Sequence, residues 1–335
     1  MNKDPTGLLG QLYNYNVNNY PVSNNKVRLQ PYLPGMSLPD CSGNNIINIY
    51  HNVEYIDYNT RKLCETGNYC VVGSKILDLN LKNYCFYSWH MFETARVNKK
   101  YSIDCSSNKT FLADILLGNG KKHRLDFFEK INKDKNLFNS CLINLHREEN
   151  QNQSHQPYSS PELDSLESKE FKKLKQQNEW TTVSRINAVN YKNQNNSIFI
   201  SQQVPEAIYQ NSYITVLFES VYNANHFFPT EKVAKPIVAG RIFLVSAGKN
   251  YLQGLRNLGF KTFEGLIDES YDQCNNHSDR NSAILTELKR LQKVDLRDLY
   301  AKATPILEHN LRLIYSKELW QPARDFVEKI FRDCG

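Results

Sequence analysis

Apolar and polar positions divide the chain into a weakly patterned start, two α/β stretches and a helical tail. Residues 1–30 are rich in Asn, carry no periodicity and read as a loose arm. From Asn45 the text becomes apolar, β-branched and aromatic. IINIYHNVEY, CVVGSKILDL at 70–79 and YCFYSWHMF at 84–92 are three runs of strand character separated by turn residues. TFLADILLG at 110–118 predicts a buried strand, followed by the loop NGKKHR. HRLDFFEKINK then has helical spacing, with Leu125, Phe128 and Ile131 on one face. SCLINLH at 140–146 predicts another strand.

Residues 147–179 change character, being polar with many Ser and Gln. They read as an inserted loop with one exposed helix near 166–176, and a plain domain linker fits as well. Beyond them the order is clear. YITVLFES (213–220) is a strand, YNANHFFP (222–229) a loop, TEKVAKPIVAG (230–240) a helix and RIFLVSAG (241–248) a strand. NYLQGLRNLG (250–259) is a helix and KTF (261–263) a short strand. This β-α-β-α-β order implies a parallel sheet with helices on its faces.

The tail from 280 to 332 predicts helices, one with a stripe of Ile284, Leu285, Leu288 and Leu291. The next stripe is Leu296, Leu299, Ala303, Leu307, Leu311 and Ile314. Pro305 and Pro322 fit first helical positions.

Composition bounds these elements. At about 100–200 residues per domain, 335 residues predict two domains. A 40% hydrophobic fraction with 20 Tyr and 16 Phe is enough for real cores. The net charge of +6 is mildly basic, suiting an anionic small ligand or a membrane surface, and is not the footprint of a dedicated nucleic-acid binder. No run of 18 apolar residues predicts a transmembrane span, which leaves peripheral membrane contact open. The first residues lack the apolar core of a signal peptide. Eight Cys without a C-x-x-C pair argue against zinc and thioredoxin-like sites, and predict free thiols in the cytoplasm. Export by a route that uses no N-terminal signal stays open.

The feature with most chemistry is Phe228-Pro229-Thr230-Glu231-Lys232. Thr230 is a good N-cap, with Glu231 and Lys232 in the first turn. A helix that follows a strand and a loop presents its free amides and positive dipole end at the C-terminal edge of a parallel sheet, where α/β folds bind anions. Lys232 adds a full charge for a diphosphate, and Glu231 offers two acceptor oxygens for a pair of ribose hydroxyls. An ordinary capped helix would carry the same residues. LLGNGKKHR (116–124) sets Lys121, Lys122, His123 and Arg124 between a strand and a helix, where Arg124 can contact a diphosphate with two N–H groups. A solvated basic turn reads the same. Arg185, in TTVSRINAVN, is a third phosphate candidate. Tyr222, Asn223 and Asn225 lie in the loop before Thr230, placed to read a base or sugar.

The stretch from Tyr213 to Phe263 resembles the donor-binding region of nucleotide-sugar glycosyltransferases, above all the α-1,3-fucosyltransferase family and its bacterial and viral relatives. The residues that carry the likeness are Phe218-Glu219-Ser220, Thr230-Glu231-Lys232, Ala239-Gly240 and, further on, LGFKTFEGLIDESYD. It covers roughly residues 210–275 well and the rest weakly. The resemblance implies a two-lobed α/β architecture of the GT-B type, with parallel sheets and a helical C-terminal tail. Residues 1–105 would form an acceptor-side lobe with a loose arm, 106–279 a donor-binding lobe with the polar insert, and 280–335 helices that pack back on both. It implies that Glu231 holds the donor ribose and that Lys232 and an Arg early in the second lobe hold its phosphates. It also implies a carboxylate from the first lobe that takes the acceptor proton, for which Glu54 is the first candidate and Glu93 the second. The expected donor is a GDP- or UDP-sugar, GDP-fucose first, and the acceptor a hydroxyl on a glycan, lipid or protein, with no cofactor. The absence of Asp-x-Asp agrees with a leaving group neutralised by Lys, Arg and a helix end rather than by a metal ion. The non-enzymatic alternative is a binding or scaffold protein that keeps this fold.

Overall fold

Four strands in the first third of the chain run parallel in the order β1-β2-β3-β5. They are β1 (Val27–Pro31), β2 (Ile47–Asn52), β3 (Tyr69–Val72) and, after the two-residue β4 (Lys75–Ile76), β5 (Tyr84–Phe86). The computed structural model describes residues 27–31, 47–52, 69–72, 75–76, 83–98, 100–104, 107–146, 158–167, 180–182, 189–193, 196–199, 202–222 and 226–334.

The run YCFYSWHMF is not one strand. β5 ends at Phe86 and helix α1 (Trp89–Val97) begins three residues later. Ser88 makes the break: its hydroxyl oxygen accepts from the Met91 amide at 3.3 Å, an N-cap. Met91, Phe92 and Ala95 then fall on one buried side of the helix. Glu93 therefore sits within a helix rather than behind a strand.

The second sheet has five strands in the order β14-β12-β6-β7-β8. The chain runs from β6 (Phe111–Asn119) through α2 (Lys122–Asn132) and α3 (Lys135–Asn139) to β7 (Cys141–His146) and the edge strand β8 (Tyr158–Ser159). A separate antiparallel sheet follows, made of β9 (Trp180–Thr182), β10 (Val189–Asn193) and β11 (Asn196–Phe199). The chain then returns through α4 (Glu206–Asn211) to β12 (Ser212–Phe218), β13 (His226–Phe227), α5 (Glu231–Val238) and β14 (Ile242–Ser246). β14, β12, β6 and β7 are parallel, and β8 is antiparallel to β7. All five residues of β14 are buried, as expected of a strand covered on both faces.

Several expectations need correction. On α2 the buried residues are His123, Arg124, Phe127 and Ile131, so the core side is rotated away from Leu125 and Phe128, which are half-buried. The polar insert supplies β8 and a helical segment at 161–167 with Leu163 fully buried, while most of the helix expected near 166–176 lies outside the described residues. Lys261–Phe263 forms no strand. The Lys261 amide is bonded to the Asn310 side chain at 2.8 Å and the Phe263 amide to Glu269 at 2.6 Å, so side chains take the donors a ladder would use.

The tail forms α6 (Tyr251–Asn257), α7 (His277–Leu291), α8 (Leu296–Ile314) and α9 (Lys317–Cys334). Pro305 and Pro322 lie inside α8 and α9 rather than starting helices. Both are exposed, so the carbonyls they leave unbonded are open to water. Trp320 on α9 stands edge-on to Tyr87 and Phe92 at ring distances of 5.8 and 5.3 Å, which ties the tail to the first third of the chain. β4 and β13 pair antiparallel and tie the first third of the chain to the segment before α5. No described helix is long and apolar enough to cross a membrane.

Candidate functional site

β6 and β12 lie side by side, yet the chain leaves them in opposite directions. From β6 it crosses to β7, and from β12 to β14. Such a reversal opens a crevice beyond the C-terminal ends of the two strands, the usual ligand position in open parallel sheets. The turn before α2 and residues 219–222 leave the sheet at this place, and α2 and α5 both begin there.

Glu219 organises the crevice. It is fully buried, and its carboxylate accepts from the Thr230 amide at 3.0 Å, the Thr230 hydroxyl at 2.6 Å and the Tyr251 hydroxyl at 2.8 Å. Burial pushes its pKa up, while Lys232 and the bonds from Thr230 oppose the shift. Thr230 in turn caps α5, its hydroxyl oxygen accepting from the Lys232 amide at 3.3 Å. The Glu of the strand end thus sets where the T-E-K helix starts.

The side chains of Glu231 and Lys232 are only partly buried, 15% and 27% exposed, and stand at that start. Lys232 Nζ bonds Glu231 Oε1 at 2.8 Å and Ser220 Oγ at 3.5 Å. Burial works against the charge of Glu231, but Lys232, His90 and Lys235 outweigh it and bring its pKa down to about 2. The carboxylate is therefore ionised at neutral pH. Its other oxygen lies 3.7 Å from His90 Nδ1 on α1. Ser88, the cap of α1, also donates to the Pro229 carbonyl at 2.8 Å. The first turn of α1 is thereby fastened to the residues that begin α5.

On the other wall, Lys121 Nζ reaches the Ser220 carbonyl at 3.4 Å, so two ammonium groups approach the same residue from different elements. Lys122 is exposed. Arg124 is buried and donates to the carbonyls of Phe218 at 3.1 Å and Asn119 at 3.2 Å, at the ends of both central strands. It braces the crevice from behind. His123 is fully buried, and burial first, then Arg124, lowers its pKa to about 2. The neutral ring faces the Glu219 carbonyl through Nε2 at 3.2 Å and stacks on Tyr222 at 3.8 Å between centroids.

Of the residues predicted from sequence, Thr230, Glu231, Lys232, Tyr222 and Arg124 come together here. Glu93 lies on α1 with both carboxylate oxygens bonded to Arg96, at 2.7–3.2 Å. Glu54, Arg185, Asn223 and Asn225 lie outside the described residues. Sequence reasoning passed over Glu219 as a site residue, although it stands in the quoted F-E-S, and over His90, because SWHMF was read as strand. Ser88 followed by apolar residues at helical spacing was the signal for the latter. No family model matches the chain, and comparison with curated proteins yields no match. Chemically, the crevice joins two helix N-termini and two ammonium groups to one ionised carboxylate. That set suits an anion attached to a hydroxyl-bearing group.

Proposed function

We propose that this chain is a nucleotide-sugar glycosyltransferase of the two-lobed GT-B type. It would move a sugar from a nucleotide diphosphate, GDP-fucose being the first donor to try, to a hydroxyl on a glycan, lipid or protein. The observation that carries the reading is the approach of Lys121 and Lys232 to Ser220, beside the start of α5 and the Glu231 carboxylate. The acceptor hydroxyl gives its proton to a carboxylate of the first lobe, Glu54 being the first candidate, and its oxygen forms a bond to the anomeric carbon while the bond from that carbon to the diphosphate breaks. The electron pair leaves with the diphosphate, where the two ammonium groups and the helix end oppose the growing negative charge. Glu231 would hold the ribose. The parallel sheet in each part of the chain, and the return of α9 onto Tyr87 and Phe92, support the two-lobed arrangement.

A second reading, a binding protein of this fold without turnover, draws on Glu93, whose carboxylate is already taken by Arg96. Thermal denaturation with GDP, UDP, CDP, ADP and their sugar conjugates tests both. A ligand at about a hundred times its Kd adds about 2.7 kcal/mol, well within reach of a melting curve. A shift with GDP or UDP that disappears in Lys232→Ala supports a donor site, and release of free sugar or transfer to an acceptor then separates enzyme from binder. No shift with any nucleotide overturns the first reading.

A further inference from the structure

The first turn of α1 reaches the start of α5 at three points. Ser88 donates to the Pro229 carbonyl at 2.8 Å, the His90 ring stands edge-on to Phe228 at 6.0 Å, and His90 Nδ1 lies 3.7 Å from Glu231 Oε2. His90 and Glu231 are 25% and 15% exposed, so the pair sits at the mouth of the crevice rather than in the core. The other oxygen of Glu231 is held by Lys232 at 2.8 Å. The carboxylate is thus bonded on one side within its own helix and faced on the other, at 3.7 Å, by a residue about 140 positions earlier in the chain.

A carboxylate that must take two neighbouring hydroxyls has to be aimed before the ligand arrives, because fixing a Glu rotamer on binding costs affinity. The Phe228 ring stands edge-on to His90, whose Nδ1 faces Oε2 at ion-pair distance. We propose that His90 is a positioning residue for Glu231, and that through it α1 governs how tightly the crevice takes a vicinal diol such as the ribose of a nucleotide. The inference rests on the donor-site reading above. It goes beyond that reading by giving the first part of the chain a share in nucleotide recognition.

Two replacements separate aiming from mere packing. His90→Phe keeps a ring against Phe228 but offers Glu231 no N–H. His90→Gln keeps an N–H donor and gives up the ring. Binding of GDP and of 2′,3′-dideoxy-GDP is measured by calorimetry on the full chain and both variants. The expected result is about tenfold weaker GDP binding by His90→Phe, no change for the dideoxy nucleotide, and recovery of most of the GDP affinity in His90→Gln. Equal losses for both nucleotides, or no loss for either, overturn the inference and leave the donor site standing. Failure of the unaltered protein to bind any ribonucleotide overturns the donor-site reading and the inference with it.

Discussion

The Glu219 carboxylate takes both the amide and the hydroxyl of Thr230, eleven residues further on, and so joins the end of β12 to the start of α5. Removing it strands buried donors on Thr230 and Tyr251, each costing about 1–3 kcal/mol when left unpaired. Glu219→Ala is expected to lose about 3–5 kcal/mol in urea denaturation. Glu219→Gln keeps an acceptor oxygen and should lose clearly less. Equal losses in the two variants would mean that the cavity, not the hydrogen bonds, sets the cost.

Lys121 and Lys122 are adjacent but differently placed. Lys121 approaches Ser220 and Lys122 is exposed. Lys121→Ala should weaken nucleotide diphosphate binding by about tenfold, or about 1.4 kcal/mol, while Lys122→Ala stays within twofold. Calorimetry at fixed ionic strength checks this, and a reversed order would move the phosphate site onto the outer face of α2.

Two carboxylates give opposite pH signatures. Burial raises Asp272 from 3.8 to about 6, against the amide hydrogen bond from Leu252. The folded state then binds this proton more tightly than the unfolded state, so stability rises as pH falls from about 6 toward 4, by up to about 3 kcal/mol. Asp272→Asn should flatten that window. Glu231 is lowered from 4.5 to about 2, so its contribution is present above pH 4.5 and lost as pH falls toward 2. Glu231→Gln should remove that loss. Urea midpoints across pH 3–7 for the three proteins check both signs.

Gly254 on α6 faces Phe227, and a Cβ built on it falls well inside van der Waals distance of that ring. The ring in turn packs on Tyr251 at 5.2 Å, the tyrosine that bonds Glu219. Gly254→Ala is expected to cost about 1–3 kcal/mol, as overpacked sites do. Phe227→Leu should recover part of the loss in the double variant, measured as a coupling of melting midpoints. Simple additivity would mean that α6 shifts freely.

Much of the second sheet was legible because its strands are long apolar runs bounded by Gly and polar turns. β6, β7, β12 and β14 all fall within two residues of the expected bounds. The start of α5 was legible because Thr-Glu-Lys after Pro is a local capping signal. The pairing of Lys121 with Lys232 was not, since it depends on β6 and β12 becoming neighbours across about a hundred residues. Arg124 reads as a ligand-binding residue in sequence, where nothing reveals that two strand-end carbonyls will claim its guanidinium. SWHMF misleads because aromatic, apolar text fits a strand as well as one face of a short helix, and only the serine tells them apart.

Helix α1 is covered by partners made much later in synthesis. Its cap bonds Pro229 across 141 positions, and Phe92 waits for Trp320. A nascent chain that has emerged only through the first hundred residues has Tyr87 beside Phe92 but still lacks Pro229 and Trp320. Contacts of such long separation form slowly, and exposed apolar surface in the interval invites aggregation. The late arrival of Pro229 and Trp320 therefore makes the closing of α1 one of the last steps of assembly.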